Sequence, residues 1–171
     1  MTNVDLTGKR ILVADVETDL GRTVATTLGR AGATVAVVAT VSDPDTTFAT
    51  QRLARKLGGP GQAIDGTNDM AVRVMVRQIS KKIGGLDAVV LCTTPEAAAL
   101  LARYGGKELD RSGGHHLVIV SEDDVQIHTE ARAVKKRPSW LPITIRPGDG
   151  GDEETAEAVL QLLSGEQLLS S

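Results

Sequence analysis

The stretch that most constrains the fold runs over residues 9–39, KRILVADVETDLGRTVATTLGRAGATVAVVA. It reads as strand, tight loop, helix, strand. Ile11-Leu12-Val13-Ala14 is a short apolar run of the kind that forms a parallel strand buried on both faces. Residues 15–19 interrupt it. Leu20, Val24, Ala25, Leu28 and Ala31 then recur as a helical stripe. Gly32 stands where a helix-ending glycine belongs, and Thr34-Val35-Ala36-Val37-Val38 is the next β-branched run. This is the βαβ unit from which dinucleotide-binding sheets are built.

The same residues resemble the start of the short-chain dehydrogenase/reductase (SDR) family, which typically runs L-x-G-K-x-x-L-V-T-G-x-x-x-G-I-G and continues to G-A-x-V. Leu6, Gly8, Lys9, Leu12 and Val13 are in register, followed by Gly21 and by Gly32-Ala33-x-Val35. The glycine-rich loop, however, reads Ala14-Asp15-Val16-Glu17-Thr18-Asp19-Leu20-Gly21, so two of its three glycines are aspartates. A glycine loop lets backbone N–H groups approach a pyrophosphate at a helix N-terminus with no Cβ in the way. Asp15, Glu17 and Asp19 place carboxylates there instead. One like-charge contact at about 4 Å costs on the order of 4 kcal/mol at an effective dielectric near 20, against about 8 kcal/mol for a whole micromolar site. Conventional NAD or NADP binding is therefore not expected. Thr18 or Asp19 is a suitable N-cap, and Asp19 is expected to take the anion position that phosphate would fill.

A length of 171 residues suits a single domain over residues 1–171. Aromatics are only 2% of the chain, so the core must come from Val, Leu, Ile and Ala. The net charge of −3 gives no reason to expect nucleic acid or a membrane surface as partner. One cysteine, Cys92, excludes an intrachain disulfide, and with no apolar signal core at the N-terminus a cytoplasmic setting is expected.

Beyond the first unit, residues 42–47 read as a turn-rich link and 48–57 as a basic amphipathic helix ended by Gly58-Gly59-Pro60-Gly61. Ala39-Thr40, at the end of the second strand, supplies neither the acid nor the base that selects between NAD and NADP. Gln62-Ala63-Ile64-Asp65 resembles the third strand of the family, in which Asp65 matches an acid near the adenine; by itself it reads as a turn former. Residues 69–83 carry a helical stripe, and Gly84-Gly85 followed by Leu86-Asp87-Ala88-Val89-Val90-Leu91 resembles the family's GGLDVLVNNAG, without its Asn-Asn-Ala-Gly. A short helix is expected over 96–104, where the family has a longer one. His115-His116-Leu117-Val118-Ile119-Val120-Ser121 is the fifth strand, its two histidines on opposite faces. With His128 and Cys92 elsewhere, no metal-ligand spacing is present. Residues 132–140 form the one basic cluster and read as a solvated segment. Ile143-Thr144-Ile145-Arg146-Pro147-Gly148 resembles the sixth strand and its V-x-P-G turn, and 152–163 a final helix.

The family's catalytic set is a Ser after the fifth strand and a Tyr-x-x-x-Lys on the next helix, where the spacing lets Lys lower the Tyr pKa. Ser121 is in place, but as a vestige: the single tyrosine, Tyr104, precedes it, and Lys107 follows Tyr104 across Gly105-Gly106, which reads as a break in any rigid helix. There is no GxSxG elbow and no P-loop. Asp15-x-Glu17-x-Asp19 has the opening spacing of a calcium loop, but Thr26 stands where its closing glutamate should be.

The sequence is thus identified as a degenerate, truncated member of the SDR family. Its expected architecture is α/β: a Rossmann-like doubly wound parallel sheet of about six strands, one domain, with a reduced helical layer. No catalytic, cofactor or metal residues are expected beyond the vestigial Ser121, Asp15, Asp19, Gly21 and Asp65. The leading functional expectation is a non-catalytic partner, scaffold or regulatory subunit, associated with a full-length SDR relative or with itself. Two alternatives remain: an NAD(P)-dependent oxidoreductase with an altered or shared site, and a sensor for a small ligand or metal at the acidic loop.

Overall fold

The structure, a computed structural model, describes residues 4–93, 95–121 and 140–165. Six strands lie among them: β1 (Arg10–Ala14), β2 (Thr34–Ala39), β3 (Gly61–Ala63), β4 (Ala88–Leu91), β5 (His116–Val120) and β6 (Leu141–Ile145). They pair in the order β3-β2-β1-β4-β5-β6, every pair parallel. Five helices connect or follow them: α1 (Asp19–Arg30), α2 (Pro44–Leu57), α3 (Asp69–Ile83), α4 (Pro95–Ser112) and α5 (Asp152–Ser164). This is a single-domain, doubly wound α/β fold, as the hydrophobic pattern predicts.

The apolar runs have no polar face because both sides of the sheet are covered. Ile11, Val13, Val35, Val37, Val90 and Val118 point to one side and pack with residues of α1, α2 and α5. Leu12, Ala36, Val38, Val89, Leu91 and Ile119 point to the other and pack with α3 and α4. Each fully buried Leu or Val contributes roughly 1.5–3 kcal/mol.

Several expectations are corrected. The stretch 42–47 is not all link, because the Asp43 side chain accepts a hydrogen bond from Thr46 N (2.8 Å) and α2 starts at Pro44. A side-chain cap with proline in the first turn is an efficient helix start. The helix after β4 is not short: α4 has 18 residues and continues through Gly105-Gly106. Those glycines are packing sites. A Cβ on Gly106 would lie 2.5 Å from Trp140 Cζ2, and the Trp140 indole N–H donates to the Gly106 carbonyl at 2.9 Å. Trp140, expected in a solvated cluster, is fully buried against α4. The helical layer on that side is therefore not reduced at α4, and the rest of the basic cluster, with His128, lies outside the described residues.

Candidate functional site

In a sheet of this order the crevice opens where β1 and β4 send their connections to opposite faces, at the carboxyl ends of the strands. Asp15, Glu17, Thr40, Cys92 and Thr93 lie there, each just beyond β1, β2 or β4. Asp15 leaves β1 with φ 66°, a left-handed conformation that glycine adopts freely and aspartate tolerates. The residue is only 2% exposed.

The loop that follows is wound tightly onto α1. Thr18 donates to the Asp15 carbonyl from both its backbone N (3.0 Å) and its hydroxyl (2.7 Å), and accepts from Gly21 N (3.0 Å) as the N-cap. Val16 is buried and donates to the Val38 carbonyl at 3.2 Å. Gly21 has to be glycine, because a Cβ would sit 2.1 Å from the Asp15 carbonyl oxygen. This glycine is what lets loop and helix approach.

Thr40, read from sequence as a plain strand end, is the centre of the cluster. Its hydroxyl oxygen is 2.7 Å from Asp15 Oδ1 and 2.9 Å from Glu17 Oε2, and its backbone N donates to Glu17 Oε1 at 3.2 Å. A threonine hydroxyl has one hydrogen and two lone pairs. It cannot donate to two carboxylates at once. The geometry is satisfied when Asp15 is protonated and donates to Thr40 while Thr40 donates to Glu17. The electrostatics agree: burial, opposed by the Thr40 hydrogen bond and aided by the Glu17 charge, pushes Asp15 up to about 7. Asp15 Oδ2 has no hydrogen-bond partner among the described residues.

The other candidate residues are dispersed. Asp19 does not take an anion position over the helix amides: its side chain is 83% exposed and pairs with Arg22, while Thr18 supplies the cap. Asp15 points inward and Asp19 outward, so the calcium-like spacing does not converge. Among the described residues no group of three or more His, Cys, Asp or Glu is placed to hold a metal. Asp65 is exposed past β3, where its carboxylate accepts from Thr67 N (3.0 Å) and Thr67 Oγ1 (2.7 Å) in a turn. Ser121 is buried at the end of β5 and donates through its backbone N to the Ile145 carbonyl at 3.0 Å. Cys92 is buried, and burial, with Asp15 and Asp152 nearby, drives its thiol pKa far up, so it is no nucleophile. His115 is exposed. His116 is half-buried at the opposite end of the sheet, its pKa lowered by burial, then by His115 and Lys9.

Tyr104 and Lys107 do share a rigid helix, contrary to the sequence reading. The ammonium lies over the phenol ring, 5.3 Å from its centroid, rather than at the hydroxyl. The hydroxyl donates to Asp69 Oδ1 at 2.6 Å, which raises the phenol pKa. That is the reverse of what a catalytic tyrosine needs. These two residues face α3, in a groove that sequence reasoning did not single out.

Neither a family model nor a curated protein sequence matches the chain. Solved structures do share its fold. A metagenomic short-chain oxidoreductase in complex with NADP superposes with a TM-score of 0.72 at 16% identity, over 95% of this chain and 93% of the other. A hydroxysteroid dehydrogenase from Escherichia coli gives 0.70 at 16% identity, over 94% and 91%. A 7α-hydroxysteroid dehydrogenase in complex with NADH and 7-oxo glycochenodeoxycholic acid gives 0.69 at 16% identity, over 94% and 89%. The likeness establishes the fold, a Rossmann-like α/β architecture that these oxidoreductase structures share.

Proposed function

We propose that this chain is an SDR-like protein that does not itself transfer hydride and acts as a partner or regulatory subunit, beside a full-length SDR relative. The observation that carries this reading is the Asp15–Thr40–Glu17 cluster in the crevice. Carboxyl groups stand where a dinucleotide's phosphates require donors, and Val16 and the Thr18 cap close the loop around them. The single tyrosine is engaged by Asp69 on α3 and belongs to no Tyr-x-x-x-Lys downstream of Ser121.

Two readouts on the purified chain test the proposal. Calorimetric titration with NAD+, NADH, NADP+ and NADPH at pH 8, where Asp15 is ionised, is expected to give no dissociation constant below about 1 mM. Co-expression with an SDR encoded beside it, followed by size-exclusion chromatography with light scattering, is expected to give a mixed assembly. Low-micromolar dinucleotide binding, or a chain that elutes alone, overturns the reading. An NAD(P)-dependent oxidoreductase with an altered site is the second reading. It is favoured by the shared fold with NADH- and NADP-bound structures and by the glycine-like backbone at Asp15.

A further inference from the structure

The strongest unassigned feature lies away from the crevice, on the outer surface where α3 and α4 pack together. A cavity of about 180 Å3 is lined there by Arg73, Val76, Arg77, Tyr104, Lys107, Glu108 and Arg111. Four cationic side chains surround one carboxylate, in a chain whose overall charge is −3. Arg73 and Arg77 are four residues apart on α3, as are Lys107 and Arg111 on α4, so each pair stacks along one helix face.

The groove is organised from beneath. The Glu108 side chain is only 5% exposed and binds Arg77 Nη1 at 3.1 Å and Arg111 Nη1 at 3.4 Å, one through each oxygen. A buried carboxylate that pairs with two guanidinium groups, one through each oxygen, holds both charges at the cavity and leaves each with N–H donors not used by Glu108. Arg73 and Lys107 have no carboxylate partner among the described residues. The site is thus two guanidiniums paired with Glu108 and two cations with no carboxylate partner among the described residues, around a space of about 180 Å3.

We propose that this groove binds a small phosphate-bearing anion, inorganic or esterified, at a site separate from the cofactor crevice. A compact oxyanion fits better than an acidic protein surface, because four cationic side chains line a cavity of only about 180 Å3 and only Val76 among the lining side chains is aliphatic. Arg73 and Lys107 supply the uncompensated charge; Arg77 and Arg111 supply directed hydrogen bonds. The inference does not rest on the partner reading above.

The test uses the full chain, labelled with 15N and titrated with sodium pyrophosphate and, in a separate arm, with sodium phosphate. Ionic strength is held constant with sodium chloride, and arginine side-chain N–H signals are followed. A saturable dissociation constant below about 1 mM is expected in at least one arm, with the largest shifts on α3 and α4. Tighter binding of pyrophosphate points to a diphosphate ester as the natural ligand, and equal binding to a single phosphate group. The R73Q/K107Q variant, which leaves the Glu108 pairs intact, should weaken binding at least tenfold, and R22Q should leave it unchanged. If the double variant loses its dispersed spectrum, R73Q and K107Q are measured singly, with at least a threefold loss expected in each. No saturation by about 10 mM, or an unchanged affinity in the charge variants, overturns the proposal.

Discussion

The crevice at the ends of β1 and β2 and the groove between α3 and α4 are opposite solutions to placing charge in an α/β domain. In the crevice two acids are drawn toward one hydroxyl, no cation among the described residues forms an ion pair with either, and the arrangement closes by keeping a proton on Asp15. In the groove one buried acid is neutralised twice over by arginines that reach solvent. Burial without a cation raises a carboxyl's pKa, whereas cations beside a carboxylate offset the cost of burying its charge. The number of acidic residues at a site therefore says little about its polarity. The partners supplied by other elements decide it.

The largest expected effect tests the protonated crevice. Asp15 is raised from its ordinary value near 3.8 to about 7, so between those limits the folded chain holds a proton that the unfolded chain has released. Its contribution therefore lowers stability as pH climbs from about 4 to about 7 and is constant above that, a change of at most about 4 kcal/mol. An asparagine at this position would have no proton to lose and tolerates a positive φ. Urea unfolding of D15N should therefore gain about 2–4 kcal/mol over the native chain between pH 4 and pH 8. Parallel stability profiles for the two proteins would break the comparison.

Gly21→Ala tests the tight loop that holds the acids in place. Its Cβ has to displace the Asp15 carbonyl, for which overpacking costs about 1–3 kcal/mol, offset by up to about 1 kcal/mol of helix propensity. A net loss near 2 kcal/mol, read as a lower thermal midpoint, is the expected outcome, and a neutral substitution would mean the loop yields freely.

The smallest effect belongs to the groove. E108Q keeps the shape of the side chain and removes the charge shared by Arg77 and Arg111. Because both arginines stay half in solvent, the cost should be only about 1 kcal/mol in chemical denaturation. A loss of several kcal/mol would show that the pairs act as a buried network rather than as a solvated scaffold.

By itself the sequence determined the order and type of the elements. Unbroken apolar runs such as Leu12-Val13-Ala14 and Val89-Val90-Leu91 specify strands covered on both faces, and Thr18, Gly32, Gly58 and Gly84 specify where helices start and stop. The sequence also determined, through a single tyrosine, that no Tyr-x-x-x-Lys follows Ser121. Those features depend on residues within a few positions of one another. What only the tertiary structure decided depends on residues far apart in the chain. Thr40 meets Glu17 across 23 residues, Arg77 meets Glu108 across 31, and Trp140 covers Gly106 across 34. The second of these contacts made a groove no motif announces, and the third let a helix run through two glycines that read as its end. Asp15 and Asp19 are the same residue type four positions apart, yet one is buried near its neutral form and the other is solvated beside Arg22. Local pattern cannot separate them, because burial is set by what packs on the loop from β2 and α1, and burial is what decides whether a carboxyl keeps its proton.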